Sequence, residues 1–261
     1  MALINPFFRL PGRWRRRARR SRMAIQLTVI LILLVIILPA YIIYKPPRLV
    51  INYLQSRNSN VLFQISTSRR ILALTIDDAP SQHTKEILQI LREAEVTATF
   101  FVIGNQIPGN EATLVDIVAA GHELGNHAMQ DEPSISLSSP VLAEQIATVD
   151  SFIEATYTTA GKPRPNKLFR PGSGVFSQRI LDVATAAGYQ TILGSIYPHD
   201  PFIKYWWVNA WHVLSMIRAG AVIICHDRRS WTPSMLRKVL PEMKRRGYEV
   251  VSVSELLKYA G

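Results

Sequence analysis

The chain has 261 residues and a formal net charge of +11 at neutral pH, which is length enough for one large α/β domain with its own core. The charge is uneven: residues 1–22 hold eight arginines and no acid, and the rest of the chain carries only +3, so the basicity describes a tail and argues against a nucleic-acid partner. The single cysteine, Cys225, excludes an intramolecular disulfide and reads as a core residue of the apolar run 221–225.

In chain order, residues 1–23 form an arginine-rich tail, and residues 24–44 contain no charge at all. About 20 apolar residues span a bilayer core, and arginines before such a run keep the N-terminus in the cytoplasm. Residues 39–42 offer no small-residue cleavage site, so the run reads as an uncleaved signal anchor rather than a signal peptide. This makes the chain a single-pass membrane protein. Residues 45–60, with Pro46, Pro47 and three asparagines, read as a linker. The catalytic domain, 61–261, then lies outside the cytoplasm. Without an Asn-x-Ser/Thr sequon, a periplasm or cell envelope is favoured.

From residue 61 onward, β-branched runs alternate with helical patterns. Strands are predicted at 61–65, 71–76, 98–103, 122–124, 168–169, 190–193, 221–225 and 249–251. Helices are predicted at 83–94, 110–120, 139–158, 177–187, 208–218, 232–245 and 254–259. Ser139 is expected to cap the helix that has Pro140 in its first turn, and Gly121, Gly188 and Gly247 to close helices. The alternation predicts an α/β fold, a distorted (β/α) barrel of about seven strands.

Charged residues gather where apolar strands stop, and in a parallel barrel those ends converge on one site. Asp77 and Asp78 end the second strand. Adjacent buried carboxylates need a cation or a shared proton; the plainer reading is a strand end capping a helix. His127 and Asp131 are four apart, so a helical turn presents both from one face. With one further aspartate they make three N/O ligands for a divalent ion, whereas alone they are a surface pair. Arg170 precedes the turn Pro171-Gly172-Ser173-Gly174, Asp200 closes a loop, and His226 and Asp227 end the strand containing Cys225.

The motifs T-I-D-D-A-P, G-H-E-L-G-N-H-A-M-Q-D, F-R-P-G-S-G and V-I-I-C-H-D, in this order over roughly residues 60–260, resemble the polysaccharide deacetylases of carbohydrate esterase family 4. The resemblance implies metal-dependent removal of acetyl from N-acetylglucosamine units of a polysaccharide such as chitin or peptidoglycan. It makes Asp77 the general base, Arg170 the residue orienting it and His226 the general acid. Asp78, His127 and Asp131 become ligands of a divalent metal, zinc by preference, and the Ser173 N–H an oxyanion donor. Asp200 would tune His226, and Trp231 is a candidate sugar contact beside the groove.

The chain departs from the family at several points. Asp131 stands where a second metal histidine is usual, adding negative charge that lowers Lewis acidity. Ala128 replaces a hydroxyl residue, and Gly172-Ser173 replaces a bulkier pair, opening one wall of the groove. The family's Asp-x-x-Asp-Trp segment is not recognisable. Trp211 fits a packed helix face, and His83, His122, His199 and His212 have no family role. The departures leave two rivals: a non-catalytic or weakly active carbohydrate-binding relative, and a small-molecule amidase of the same fold. Oligomeric state is not legible.

Overall fold

The computed structural model describes residues 12–260; residues 1–11 and 261, and with them the start of the arginine-rich tail, lie outside the described residues. The chain divides into two compact units, Met1–Pro47 and Arg48–Gly261. In the first, helix α1 (Gly12–Tyr44) begins inside the tail, and its stretch Arg19–Tyr44, which contains an 18-residue window of mean hydropathy 2.8, is long and apolar enough to cross a membrane.

The second unit begins with a helix where a linker was expected, α2 (Arg48–Arg57). Ile51 buries itself among Val61, Phe63, Leu181 and Leu193. The Gln55 amide donates to the Val61 carbonyl at 2.8 Å and accepts from the Phe63 N–H at 2.9 Å, tying α2 to the first strand. Ten residues with one buried anchor give little periodic signal.

Eight strands follow: β1 (Val61–Leu62), β2 (Ile71–Ala79), β3 (Thr99–Val102), β4 (Glu123–Asn126), β5 (Leu168–Phe169), β6 (Gln190–Ile192), β7 (Val222–His226) and β8 (Glu249–Val251). Between and after them run α3 (Thr84–Ala94), α4 (Glu111–Ala119), α5 (Ser139–Thr159), α6 (Gln178–Ala186), α7 (Trp206–Met216), α8 (Thr232–Arg245) and α9 (Val253–Leu257). Every predicted strand and helix from residue 61 onward is present. Ser138 rather than Ser139 stands at the N-terminal boundary of α5, without a side-chain capping bond, and Gly121, Gly188 and Gly247 follow their helices with positive φ as expected.

The strands are all parallel, as helical crossovers require, in the order β1-β6-β5-β4-β3-β2-β7 with β8 beside the start of β2. A parallel bridge between Ile196 and Ile223 brings the segment after β6 against β7 and curls the sheet into a distorted barrel. Along β2, Leu72, Leu74 and Ile76 pack into the core shared with the helices, while Ile71 and Ala73 join a separate inner cluster with Phe101, Leu168 and Val222. By that period of two, Thr75 and Asp77 face the barrel interior and Asp78 should face the helices.

It does not, because the register of β2 against β3 shifts between Asp77 and Ala79, and Asp78 takes the left-handed conformation at φ 63°. This bulge turns Asp78 toward the same end of the barrel as Asp77. Aspartate tolerates such a φ better than a β-branched residue would.

Candidate active site

Strand register assembles the site. Asp77 pairs with His226 across β2 and β7, and Asn126 pairs with Phe169 across β4 and β5. The residues that follow those last two, His127 and Arg170, are therefore neighbours at the same rim.

Arg170 is buried and almost fully used. It donates to the Asp77 carboxylate, to Thr75 Oγ1 at 2.8 Å, to the Ile192 carbonyl at 3.1 Å and to the Leu193 carbonyl at 2.6 Å. Its guanidinium stacks 4.1 Å over the Phe101 ring. That ring lies where a Cβ on Gly125 would come within 2.5 Å of it, so glycine is required there for the ring to sit beneath the arginine. Burial lowers the Arg170 pKa, but the charge and hydrogen bond of Asp77 oppose the shift, and an arginine stays protonated. Asp77 is thus paired with a permanent cation.

His127 is held by its Nδ1, 2.7 Å from the Arg170 carbonyl. A carbonyl only accepts, so Nδ1 carries the proton and the Nε2 lone pair faces outward. It faces Asp78 Oδ1 at 3.9 Å and Asp131 Oδ1 at 3.8 Å. One donor atom from each of Asp78, His127 and Asp131 falls within 4.8 Å of the others. Asp78 Oδ1 is buried with no hydrogen-bond partner among the described residues, a costly state for a carboxylate that a cation would relieve. Burial raises the Asp78 pKa; His127 and His226 pull it down, and Asp131 and Asp77 push it up. Donor set, orphaned oxygen and pinned tautomer all fit a divalent metal.

His226 donates from Nδ1 to Asp200 Oδ1 at 2.9 Å, and its backbone N–H donates to Asp200 Oδ2 at 2.9 Å. Burial alone would lower its pKa, but the charge and hydrogen bond of Asp200, with Asp77 and Asp78 behind, carry it up to about 9. Trp231 lines neither of the two cavities around these residues. Its indole N–H donates to the Asp200 carbonyl at 3.0 Å, so it supports the loop carrying Asp200.

The Ser173 N–H points at Asp131 Oδ1, 3.5 Å away, with Ser173 at φ 60°. A Cβ at Gly172 would lie 2.0 Å from the Glu132 carbonyl, so the turn reaches the Asp131 loop only as glycine. Besides a helix C-cap at Glu95, the non-glycine residues at positive φ among the described residues are Asp78, Ala128, Ser173 and His199. All four lie in or beside the site, where strained backbone tends to collect.

These side chains open into a cavity of about 440 Å³, lined by Asp77, His127, Asp131, Arg170, Ser173 and His226 together with Phe63, Tyr197 and Phe202. A second, open cavity of about 860 Å³, lined by Ser81, His83, Asn105, Gln130 and Arg228, shares Asp131 with it. Sequence reasoning did not single out Thr75, which buttresses Arg170, or Tyr197, whose ring lies edge-on to His226 at 6.0 Å. It left Asp227 without a role. That carboxylate accepts from Thr84 and ties the end of β7 to the start of α3; burial raises its pKa to about 6, against the Thr84 and Ser81 hydrogen bonds. A polar residue inside an apolar strand, Thr75, was the one visible signal.

The profile of the polysaccharide deacetylase family matches residues 64–192. A peptidoglycan-N-acetylglucosamine deacetylase of Bacillus cereus is 33% identical over 211 residues, covering 76% of this chain and 93% of its own length. The chain belongs to the polysaccharide deacetylase family. Its relatives of named activity are polysaccharide deacetylases, and the chain falls in that class of hydrolase, the polysaccharide N-deacetylases. A chitooligosaccharide deacetylase of Bradyrhizobium is 29% identical, with 72% of this chain and 90% of that protein covered. Among solved structures, a carbohydrate esterase family 4 pseudoenzyme from Bacillus anthracis superposes with TM-score 0.68 at 28% identity, covering 76% of this chain and 68% of that one. A mutant of that pseudoenzyme with restored enzymatic activity superposes with TM-score 0.69 at 29% identity. The family's fold and this chain's barrel therefore agree.

Proposed function

We propose that this chain is a membrane-anchored deacetylase that hydrolyses the N-acetyl groups of N-acetylglucosamine units in a cell-envelope polysaccharide. The observation that carries the reading is a paired base, Asp77 with Arg170, and a charged acid, His226 with Asp200, lining one cavity together with His127 and Asp131 of the carboxylate–histidine cluster. Asp77 takes the proton of the attacking water, its ionised form held by Arg170. His226, raised to about 9, is protonated at neutral pH and gives its proton to the departing amine. The Ser173 N–H donates to the oxygen that gains charge as the acetyl carbon becomes tetrahedral. Asp78, His127 and Asp131 would hold a divalent ion, zinc by donor type, which when bound polarises the acetyl carbonyl and acidifies water. The N-terminal helix anchors the chain with its arginines in the cytoplasm and the barrel outside.

A second reading is a carbohydrate-binding relative without turnover. It is favoured by Asp131, a second carboxylate facing His127, whose oxygen also lies on the Ser173 N–H. Purified full-length protein incubated with chitin oligomers and with peptidoglycan should release acetate, lose that activity to a chelator and regain it with zinc or cobalt. Sugar binding without acetate release under every metal would sink the catalytic reading. Asp131→His separates the two further: it raises turnover several-fold from a measurable level in the first reading and creates it from nothing in the second.

A further inference from the structure

We propose that the barrel carries a second membrane contact, in which the aromatic face of α7 lies in the headgroup layer of an anionic lipid surface. The inference rests on reading α1 as the anchor.

Three aromatic residues of α7, and two just before it, stand out of the fold. Phe202 is 80% exposed, Tyr205 63%, Trp206 40%, Trp207 59% and Trp211 61%. Trp207 and Trp211 are four apart and so share one helical face, while Ala210, Val213 and Met216 bury the other. Trp206, Trp207 and Trp211 line neither cavity at the catalytic residues. Sugar-stacking residues of the reaction site would be expected in a concave wall. Indole and phenol rings displayed on the outside of a helix suit the membrane–water interface, which takes an apolar body with a polar tip.

The charge around this face is mostly basic: the one acid of the neighbouring α8, Glu242, is ion-paired to Arg245 and Arg246, and Arg246 donates to the Leu214 carbonyl of α7 at 2.8 Å. No acid lies between Asp200 and Asp227, and none precedes Asp77. Those two stretches hold Lys204 and Arg218, and Lys45, Arg48, Arg57, Arg69 and Arg70. They also meet in the fold. Arg218, just past α7, donates to Gln64 at 3.0 Å, and Gln64 donates to Asn52 of α2 at 2.6 Å. Burial lowers the Arg218 pKa, and the nearby charge of Arg48 lowers it further. On α2 itself Leu49 is 82% exposed and Tyr53 61%. Only residues 45–47 separate α2 from the end of α1, a reach of roughly 10 Å. A basic surface with exposed aromatics, leashed that closely to a membrane span, is complementary to anionic headgroups.

The test uses the full chain with Trp14→Phe, reconstituted in phosphatidylglycerol nanodiscs whose acyl chains are brominated near the headgroup. Tryptophan fluorescence should fall by roughly half relative to unbrominated discs, as expected for rings at the interface. The quenching should largely disappear on combining Trp207→Ser with Trp211→Ser, and weaken in phosphatidylcholine discs. Unquenched fluorescence in a chain that still resists alkaline carbonate extraction overturns the contact and leaves the anchor standing. Extraction by carbonate overturns the anchor itself, and the contact with it. Protection of these tryptophans by soluble chitin oligomers, or cross-linking between copies through this face without lipid quenching, also overturns the proposal.

Discussion

Replacing Asp77 by asparagine keeps an oxygen for Arg170 but removes the charge that makes it a base. Turnover should fall on the order of 10²–10⁴-fold, the usual worth of a positioned base. Metal content, measured by atomic absorption, should be unchanged; its loss would exchange the roles of Asp77 and Asp78. The same substitution leaves a buried guanidinium without its anion, so thermal unfolding should show a loss of about 3 kcal/mol. His226 makes the complementary prediction about pH. Its folded pKa of about 9 stands above the ordinary 6.5, so its stabilising contribution is complete below 6.5 and is lost as pH rises through about 9. Activity that needs the protonated acid should fail over the same alkaline limb. Asp200→Asn removes the main charge raising that pKa. The alkaline limb should then move down by one unit or more, and about 1–3 kcal/mol of stability at neutral pH should go with it. A limb that stays in place in this variant would assign the titration to another group.

At the scale of elements, the bulge in β2 and the glycine in β4 do what strand pattern alone would not. Gly125→Ala puts a methyl 2.5 Å from the Phe101 ring, inside a packed core. It should cost about 1–3 kcal/mol in denaturant unfolding. Since that ring underlies Arg170, it should also lower kcat more than it raises KM, whereas a ring that merely shifts without moving the arginine leaves kcat intact. The strands and helices of the barrel were legible because β-branched runs and amphipathic runs alternate cleanly from residue 61. The site's residue types were legible because charges interrupt apolar strand ends. What was not legible followed from geometry between elements. Period two places Asp78 against the helices, and only the register shift against β3 brings it to His127. The helix α2 hid in a proline- and asparagine-flanked segment because a single buried side chain, Ile51, carries its packing. Trp231 was chosen for its aromatic ring, yet its indole N–H fixes the loop that presents Asp200.

For the whole molecule the open physical question is which side of a membrane the barrel occupies, and the chain supplies a clean way to ask it. Cys225 is the only cysteine, fully buried, with burial raising its thiol pKa well above the ordinary value, so it reacts slowly with maleimides. A cysteine introduced at Lys258, whose side chain is 67% exposed, is therefore the only reactive thiol in the folded protein. In intact cells a membrane-impermeant maleimide should label that residue without permeabilisation, and the label should stay with the membrane fraction. On the proposed topology, the eight arginines ahead of the apolar stretch, with no acid to offset them, set this orientation. Replacing six of those arginines with asparagine should reduce labelling from outside and create a population labelled only after permeabilisation. Undiminished labelling in that variant would mean that the tail does not set the topology. Labelling at Lys258 that appears only in permeabilised cells of the unaltered tail would place the barrel in the cytoplasm, away from any envelope polysaccharide.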